Sequence, residues 1–181
     1  MISEALEMLS SLLRALIYVL PAYITNAMPV IFVKLLGRTT PIDGGAYAWD
    51  GRRVLGDGKT WEGFISGTSI GIGAGVLIYL LGNLGEFRSP FEPLSLSLGA
   101  MLGDLLGSFI KRRLGLRRGD PAPGLDQLGF LLCALGLAFM AHGVPNWLNP
   151  LLFITLITIT GALHLATNAL AYLIGLKDRP Y

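Results

Sequence analysis

The sequence predicts an all-α integral membrane protein with about five transmembrane helices and two glycine-rich basic loops on the cytoplasmic side. The first observation behind this prediction is composition: of 181 residues, 52% are hydrophobic and only 14% are charged, and the mean hydropathy is +0.60. A soluble domain of this length needs a more polar surface. The second observation is a series of five apolar segments, each long enough or nearly so to cross roughly 30 Å of hydrocarbon.

The five spans follow one another without a separate soluble domain, so the whole chain is interpreted as one transmembrane domain. The first span is interrupted by Pro21 and Pro29, and its start carries Glu4 and Glu7 where a secretory signal carries Lys or Arg. A cleaved signal peptide is therefore not expected. We place the spans at about 12–36, 63–84, 94–110, 125–141 and 150–176.

The cations are distributed very unevenly about these spans. Only Arg14 and Arg88 fall on one side. Because positive charge accumulates in cytoplasmic loops, the sequence predicts an outside N-terminus, a cytoplasmic C-terminus and two cytoplasmic basic loops. The other twelve cations are Lys34, Arg38, Arg52, Arg53, Lys59, Lys111, Arg112, Arg113, Arg117, Arg118, Lys177 and Arg179.

Glycines recur every fourth residue in spans 2 and 3. This spacing lets helix backbones approach closely in lipid, so we interpret both stripes as packing surfaces. The single cysteine, Cys133, excludes an internal disulfide and is also interpreted as a packing residue. The stripes comprise Gly63, Gly67, Gly71 and Gly75 in span 2 and Gly99, Gly103 and Gly107 in span 3.

Asp104 is the clearest candidate for chemistry, because ionisable groups at membrane depth are costly and usually functional. It shares one helical face with Ser108, Lys111 and Arg112 through spacings of four, seven and eight residues. That face leads from an acid inside the membrane to a basic rim. The alternative is a neutral, hydrogen-bonded Asp above cations that snorkel to the interface.

A second acid, Asp126, lies where span 4 begins, after a loop that contains Asp120. An Asp at that point could instead cap the helix. Since Mg²⁺ commonly takes one or two carboxylates together with substrate phosphates, Asp104 and Asp126 form a candidate metal site.

The loop between spans 1 and 2 is dense in Gly, Asp and cations. Its segment Gly56-Asp57-Gly58-Lys59-Thr60 combines flexible backbone with positive charge, which suits phosphate binding. It is not a Walker P-loop, since Arg53 stands where that pattern needs a glycine. The alternative is a solvated basic loop attracted to anionic lipid.

Three more polar residues lie at membrane depth, namely Asn26 in span 1 and His164 and Asn168 in span 5. On the residues alone, hydrogen bonding between helices is the favoured interpretation of each, and a polar cavity is the alternative. No role is assigned to His142, in an outer loop.

Several short segments of the chain form a recognisable pattern: Gly103-Asp104-Leu105, Ser108-Phe109-Ile110-Lys111-Arg112, Asp120, Pro123-Gly124, Asp126-Gln127-Leu128, Pro29, Pro41-Ile42-Asp43-Gly44, Asp50-Gly51-Arg52-Arg53 and Gly56 to Gly63. Together they resemble the signature of the membrane CTP:phosphatidate cytidylyltransferases. The whole chain is more similar to their short archaeal branch, the CDP-archaeol synthases, and the likeness covers nearly its full length.

The resemblance implies a reaction between CTP and unsaturated archaetidic acid, a glycerol phosphate with two geranylgeranyl ether chains, to give CDP-archaeol and pyrophosphate. It implies that Asp104 and Asp126 hold Mg²⁺, with Asp120 as a further candidate. Lys59, Lys111 and Arg112 would neutralise the triphosphate. Ser108 and the 56–60 segment would contact the CTP phosphates. A polar cavity with Asn26, His164 and Asn168 would receive the lipid headgroup.

Two departures from the family pattern stand out. Gly129 occupies a position where the family usually has a further acid, and the His-Gly-Gly that follows Pro-Gly in bacterial enzymes is absent. The alternatives to a cytidylyltransferase are a CTP-dependent polyprenol or lipid kinase, a small transporter or channel with Asp104 at its midplane, and a membrane scaffold. No nucleic-acid partner is expected, and oligomeric state stays open.

Overall fold

The computed structural model describes residues 2–37 and 39–176. Within them the chain forms five helices, each long and apolar enough to cross a membrane. In those same residues, β-structure is limited to two isolated bridges, Pro41 with Thr60 and Tyr47 with Arg53. The all-α prediction is therefore confirmed. The helices are α1 (Ile2–Leu36), α2 (Trp61–Leu80), α3 (Glu92–Arg113), α4 (Leu125–His142) and α5 (Pro150–Leu173).

The helix bounds differ most from the predicted spans at the start of α1, which begins ten residues earlier. Glu, Leu and Met are good helix formers, so the polar start continues the helix. By contrast, α2 ends four residues before the predicted limit, where Gly82 adopts a φ of +113°. The helix α3 runs three residues further than predicted, because cations in a last turn are favoured by the helix dipole.

The charged loops 39–60 and 114–124 lie at the same end of the bundle, which we call the basic face. The opposite end, with loops 81–91 and 143–149, is the far face. Lys59 of the first basic loop contacts Asp104 of α3, whereas Arg14 of α1 contacts Glu86 at the far face. Three of the cations used to predict orientation, Arg38, Lys177 and Arg179, lie outside the described residues.

The glycine stripe of α2 faces a distortion in α1. Pro29 has no N–H, so the carbonyl of Thr25 lacks its helical donor. That carbonyl oxygen lies 2.6 Å from the position a Cβ would occupy on Gly67. A side chain there would collide with backbone, which explains the glycine and confirms the interpretation of the stripe as a packing surface.

The stripe of α3 lies against α4 in the same way. A Cβ on Gly103 would stand 2.6 Å from the carbonyl oxygen of Gly129 and 2.8 Å from the Cα of Phe130. The two backbones therefore meet directly. This crossing places Asp104, the next residue, beside the first turn of α4.

We expect Gly103→Ala to destabilise the protein by about 1–3 kcal/mol, the usual cost of overpacking. Gly129→Ala is the matched control at the same crossing, because its Cβ would lie 3.6 Å from Leu125 Cδ1 and 4.0 Å from the Gly103 carbonyl oxygen, both ordinary contact distances. Thermal unfolding in detergent measures both. Equal melting temperatures for the two variants would contradict the close approach.

The far face is held by a buried polar cluster. Glu92 is fully buried at the start of α3 and accepts a 2.5 Å hydrogen bond from the Tyr18 hydroxyl of α1. Arg88 also donates to Glu92, and to the carbonyls of His142 and Gly143 at the end of α4. His142 itself contacts Ser95 at 3.1 Å. Three helices are thus fastened at the far face, while the bundle opens towards the basic face.

Candidate functional site

A cavity of about 1000 Å³ lies at the basic face, bounded by residues of all five helices and of both basic loops. It brings together residues from segments that are far apart in the sequence. Every site residue predicted from the sequence lines it: Asn26, Gly56, Asp57, Gly58, Lys59, Thr60, Asp104, Ser108, Lys111, Arg112, Asp120, Asp126, His164 and Asn168.

Two lysine–aspartate pairs dominate the wall of the cavity. Lys59 Nζ lies 2.7 and 2.6 Å from the two carboxylate oxygens of Asp104. Lys111 Nζ lies 3.0 Å from both oxygens of Asp126. About a quarter of each carboxylate side chain is exposed. Asp104 therefore faces the cavity in direct contact with a lysine, rather than lying isolated at membrane depth.

Asp126 does not cap α4, so that alternative interpretation is wrong. The capping position belongs to Gly124, whose N–H donates to the side chain of Gln127. Asp126 stands two residues into the helix, and its carboxylate accepts a 2.8 Å hydrogen bond from the backbone N–H of Ala122. This bond, together with Lys111, aims the carboxylate into the cavity.

Two arginines lie over the glycine segment of the first basic loop. Arg112 Nη1 is 3.9 Å from the Cβ position of Gly56, and Arg118 Nε is 3.4 Å from that of Gly58. Within the described residues, the buried Nε of Arg112 has no hydrogen-bond partner. A buried guanidinium N–H without an acceptor suits an anion such as phosphate. The sequence analysis did not single out Arg118.

Asp43 organises the first basic loop, a role that the sequence analysis missed. Its side chain is 1% exposed. It accepts hydrogen bonds from the backbone N–H groups of Gly45, Leu55 and Gly56 and from Arg53. Burial alone would raise the pKa of Asp43, but these donors outweigh it and hold the pKa well below its usual range. The Asp-Gly-Gly turn that begins at Asp43 was the available signal.

These contacts predict how the loop responds to acid. Because the folded-state pKa is lowered, the stabilisation by Asp43 is complete above its unfolded value of about 4 and is lost as pH falls towards the lowered value. We expect the protection of backbone amides in residues 41–60, relative to their intrinsic exchange rates, to fall below about pH 4. In Asp43→Asn, this protection is expected to be low already at neutral pH and to change little on acidification. Protection equal to the parent protein would contradict this role.

Some donors of the 56–60 segment are already in use. The Gly56 N–H bonds to Asp43, and the Lys59 N–H bonds to the Gly56 carbonyl. Thr60 is 3% exposed, and its hydroxyl accepts from the Gly63 N–H as the cap of α2. The segment therefore offers the Lys59 ammonium more readily than a full set of backbone donors. The Asp57 carboxylate forms an ion pair with Arg53, with 2.7 Å between Oδ1 and Nη1.

The membrane-depth part of the cavity is polar along α5. Asn168 is buried, and the ring of His164 lies 6.0 Å from that of Phe130. The Tyr23 hydroxyl of α1 and the Thr160 hydroxyl of α5 are 2.6 Å apart. Tyr23 and Thr160 also line the cavity and were not predicted, because neither type stands out in an apolar helix.

The donor set fits magnesium. Asp104 and Asp126 offer hard oxygen ligands at the cavity wall. Across residues 2–37 and 39–176, no three His, Cys, Asp or Glu side chains converge. Any ion in the cavity would therefore take one or two carboxylates from the described residues and further oxygens from phosphate or water, as Mg²⁺ commonly does.

The fold and the cavity define a class: a multi-pass membrane protein with a cavity lined by charged residues at one end of its helices. A protein-family model described as CarS-like, CDP-archaeol synthase, matches residues 8–181. The chain belongs to this family. It is thus a membrane cytidylyltransferase of archaeal lipid biosynthesis.

Curated relatives and a solved structure support this assignment. A CDP-archaeol synthase from Thermococcus gammatolerans is 48% identical over 176 residues, which cover 96% of this chain and 98% of that protein. One from Aeropyrum pernix is 44% identical over 173 residues, 96% of this chain and 94% of the relative. A solved structure, of an intramembrane enzyme for archaeal membrane lipids biosynthesis, is 43% identical with a TM-score of 0.73. It covers 85% of this chain and 92% of its own.

Proposed function

We propose that this protein transfers the cytidylyl group of CTP to unsaturated archaetidic acid, forming CDP-archaeol and pyrophosphate. One observation carries the proposal: a single cavity collects Asp104, Asp126, Lys59, Lys111 and Arg112 from three separate segments. The same cavity continues along the polar face of α5 to membrane depth. The charged end of the cavity suits a nucleoside triphosphate, and the membrane-level end suits a lipid phosphate.

The reaction is a displacement at the α-phosphorus of CTP. An oxygen of the lipid phosphate forms a bond to that phosphorus, and the bond from the phosphorus to the bridging oxygen of the β-phosphate breaks. Pyrophosphate leaves with that electron pair. Such a reaction needs positioning and charge neutralisation rather than a covalent enzyme intermediate. Lys59, Lys111 and Arg112 provide cations for the charge that develops on pyrophosphate, and Ser108 and Asp120 lie beside them.

Asp104 and Asp126 would hold Mg²⁺ in this proposal. The bound ion would neutralise phosphate oxygens and favour departure of pyrophosphate. The two lysines contact these carboxylates and line the same cavity. If the two carboxylates bound Mg²⁺, the lysine ammonium groups would be free to contact phosphate oxygens.

The lipid headgroup is proposed to reach the cavity through its membrane-level end. Asn26, His164 and Asn168 line that part and offer hydrogen bonds to glycerol and phosphate oxygens. The prenyl-ether chains stay among the lipids of the bilayer. The positive charge of the basic loops supports a cytoplasmic basic face and an outside N-terminus.

Labelled CTP tests the proposal. Purified protein is incubated with Mg²⁺, CTP labelled on the α-phosphate, and either archaetidic acid or phosphatidic acid. We expect label in a lipid product, abolished by EDTA. The two acceptors separate an ether-lipid from an ester-lipid enzyme.

The competing activities predict other outcomes. A CTP-dependent lipid kinase would transfer label from the γ-phosphate of CTP to a polyprenol, and none from the α-phosphate. A transporter, channel or scaffold would label no lipid. Folded protein that leaves both phosphatidic and archaetidic acid unlabelled would overturn the cytidylyl assignment.

A further inference from the structure

The first basic loop contains a small hairpin, residues 46–54, that takes no part in the cavity wall. Its two arms are joined by hydrogen bonds from Ala48 N to Arg52 O, at 2.8 Å, and from Val54 N to Ala46 O, at 3.0 Å. The turn between them carries Trp49. Among the described residues Trp49 is one of the most exposed hydrophobic side chains, at 84%, and Tyr47 is 69% exposed.

Arg113, the last residue of α3, fastens this hairpin to the helix. Its guanidinium lies 2.7 Å from an Asp50 carboxylate oxygen and 2.6 Å from the Arg53 carbonyl oxygen. The same guanidinium lies 5.4 Å from the centre of the Trp49 ring and 5.1 Å from that of Phe109. Trp49 and Phe109 meet edge to face, with centroids 6.2 Å apart. The position of Trp49 is therefore fixed by contacts, although its surface is open.

The side of α3 that receives the hairpin is turned away from the cavity. Phe109 lies on one helical face with Leu102 and Leu106, through spacings of seven and three residues. Those two leucines are 51% and 50% exposed. Asp104 follows Leu102 by two residues, a rotation of about 200° around the helix axis, and therefore lies on the cavity side. Ser108 stands in the same relation to Leu106. In a protein that spans a membrane, the leucine stripe faces lipid.

Trp49 thus extends a lipid-facing stripe at the level where α3 leaves the membrane. Phe109 is followed directly by the final turn with Lys111, Arg112 and Arg113. Trp and Tyr concentrate at this level in membrane proteins, because their rings are apolar and their N–H or O–H groups remain hydrated. The half-exposed side chain of Arg52 adds a cation at the same level.

We propose that the 46–54 hairpin is a membrane-interface anchor, with Trp49 and Tyr47 inserted among the lipid headgroups of the leaflet at the basic face. The partner is the bilayer surface itself. The hairpin lies on the same side of α3 as Leu102 and Leu106, which face lipid. This continuity favours lipid over a second protein as the partner of Trp49 and Tyr47. This inference needs only the transmembrane fold and is independent of the proposed reaction.

Tryptophan fluorescence tests the anchor directly, since the chain has three tryptophans. The variant Trp61→Phe/Trp147→Phe keeps Trp49 alone. Its matched control, Trp49→Phe/Trp61→Phe, keeps Trp147, which packs against the buried Tyr18 at the far face. Both are placed in lipid nanodiscs, where quenchers reach both faces. Phosphatidylcholine brominated near the headgroup or deep in the chain reports contact with lipid, and iodide reports contact with water.

We expect the Trp49 protein to lose most of its fluorescence with shallow bromine, less with deep bromine, and little with iodide. The Trp147 control is expected to be less sensitive to shallow bromine. Strong iodide quenching of Trp49 without quenching by bromine would place the ring in water and overturn the anchor. Protection from both quenchers would place a protein surface, such as a second copy, over Trp49 and would overturn it equally.

Discussion

Asp104→Asn is expected to abolish transfer of α-label from CTP to lipid, with a loss of more than about 10³-fold, or roughly 4 kcal/mol of transition-state stabilisation. The substitution keeps the size of the side chain and removes the charge that Lys59 and a divalent ion would both need. Asp126→Asn is expected to have a comparable effect, because it removes the charge that Lys111 and the same ion would need. Initial rates with saturating CTP and Mg²⁺ measure both.

Glu86→Gln provides a matched control for the loss of one carboxylate. Glu86 pairs with Arg14 at the far face, at 3.1 Å, and is well exposed. We expect its activity and its melting temperature to match the parent protein. If Asp104→Asn folds normally and keeps its activity within a few-fold, Asp104 does not belong to the reaction.

Lys59→Met is expected to produce the second large effect. Removing a charge donor from developing negative charge commonly costs about 10²–10³ in rate. Methionine retains much of the aliphatic length of lysine, so packing changes little. Because Lys59 sits on the short segment ordered by Asp43, we expect a lower turnover rate together with a weaker apparent affinity for CTP.

The double variant Lys59→Met/Asp104→Asn separates a shared role from two independent ones. Residues in direct contact usually show non-additive effects. We expect the double variant to be about as inactive as Asp104→Asn alone. An unchanged turnover in Lys59→Met would show that its contact with Asp104 serves only to neutralise the acid.

The membrane fold was predictable because the composition and the length of apolar segments depend little on tertiary contacts. The helices α3 and α4 began or ended within three residues of the predicted spans, since charges and Pro–Gly sequences mark those limits. The start of α1 was missed because an exposed helical extension carries no hydropathy signal. The far-face cluster around Glu92 was missed because its polar residues lie at separate span ends.

The candidate site was predictable where a residue type is unusual for its position, as for Asp104 in span 3. The site was not predictable where the role of a residue depends on contacts that form only in the folded chain. Asp43 looked like one acid among several in a polar loop, and only the folded loop brings four donors to it. The capping alternative for Asp126 failed for a similar reason, because Gly124 and Gln127 complete the start of α4 instead.

The inward hydrogen bonds of Asp43 bear on the thermodynamics of nucleotide recognition. A loop that is already ordered loses little conformational entropy when a ligand arrives, so more of the contact energy remains as affinity. The hydrogen bonds to Asp43 that order the segment carrying Lys59 all come from groups of this chain. Nucleotide binding should therefore resemble binding to a rigid receptor rather than coupled folding and binding, and its heat-capacity change should be small. The association rate should be limited by diffusion and charge rather than by closure of the loop.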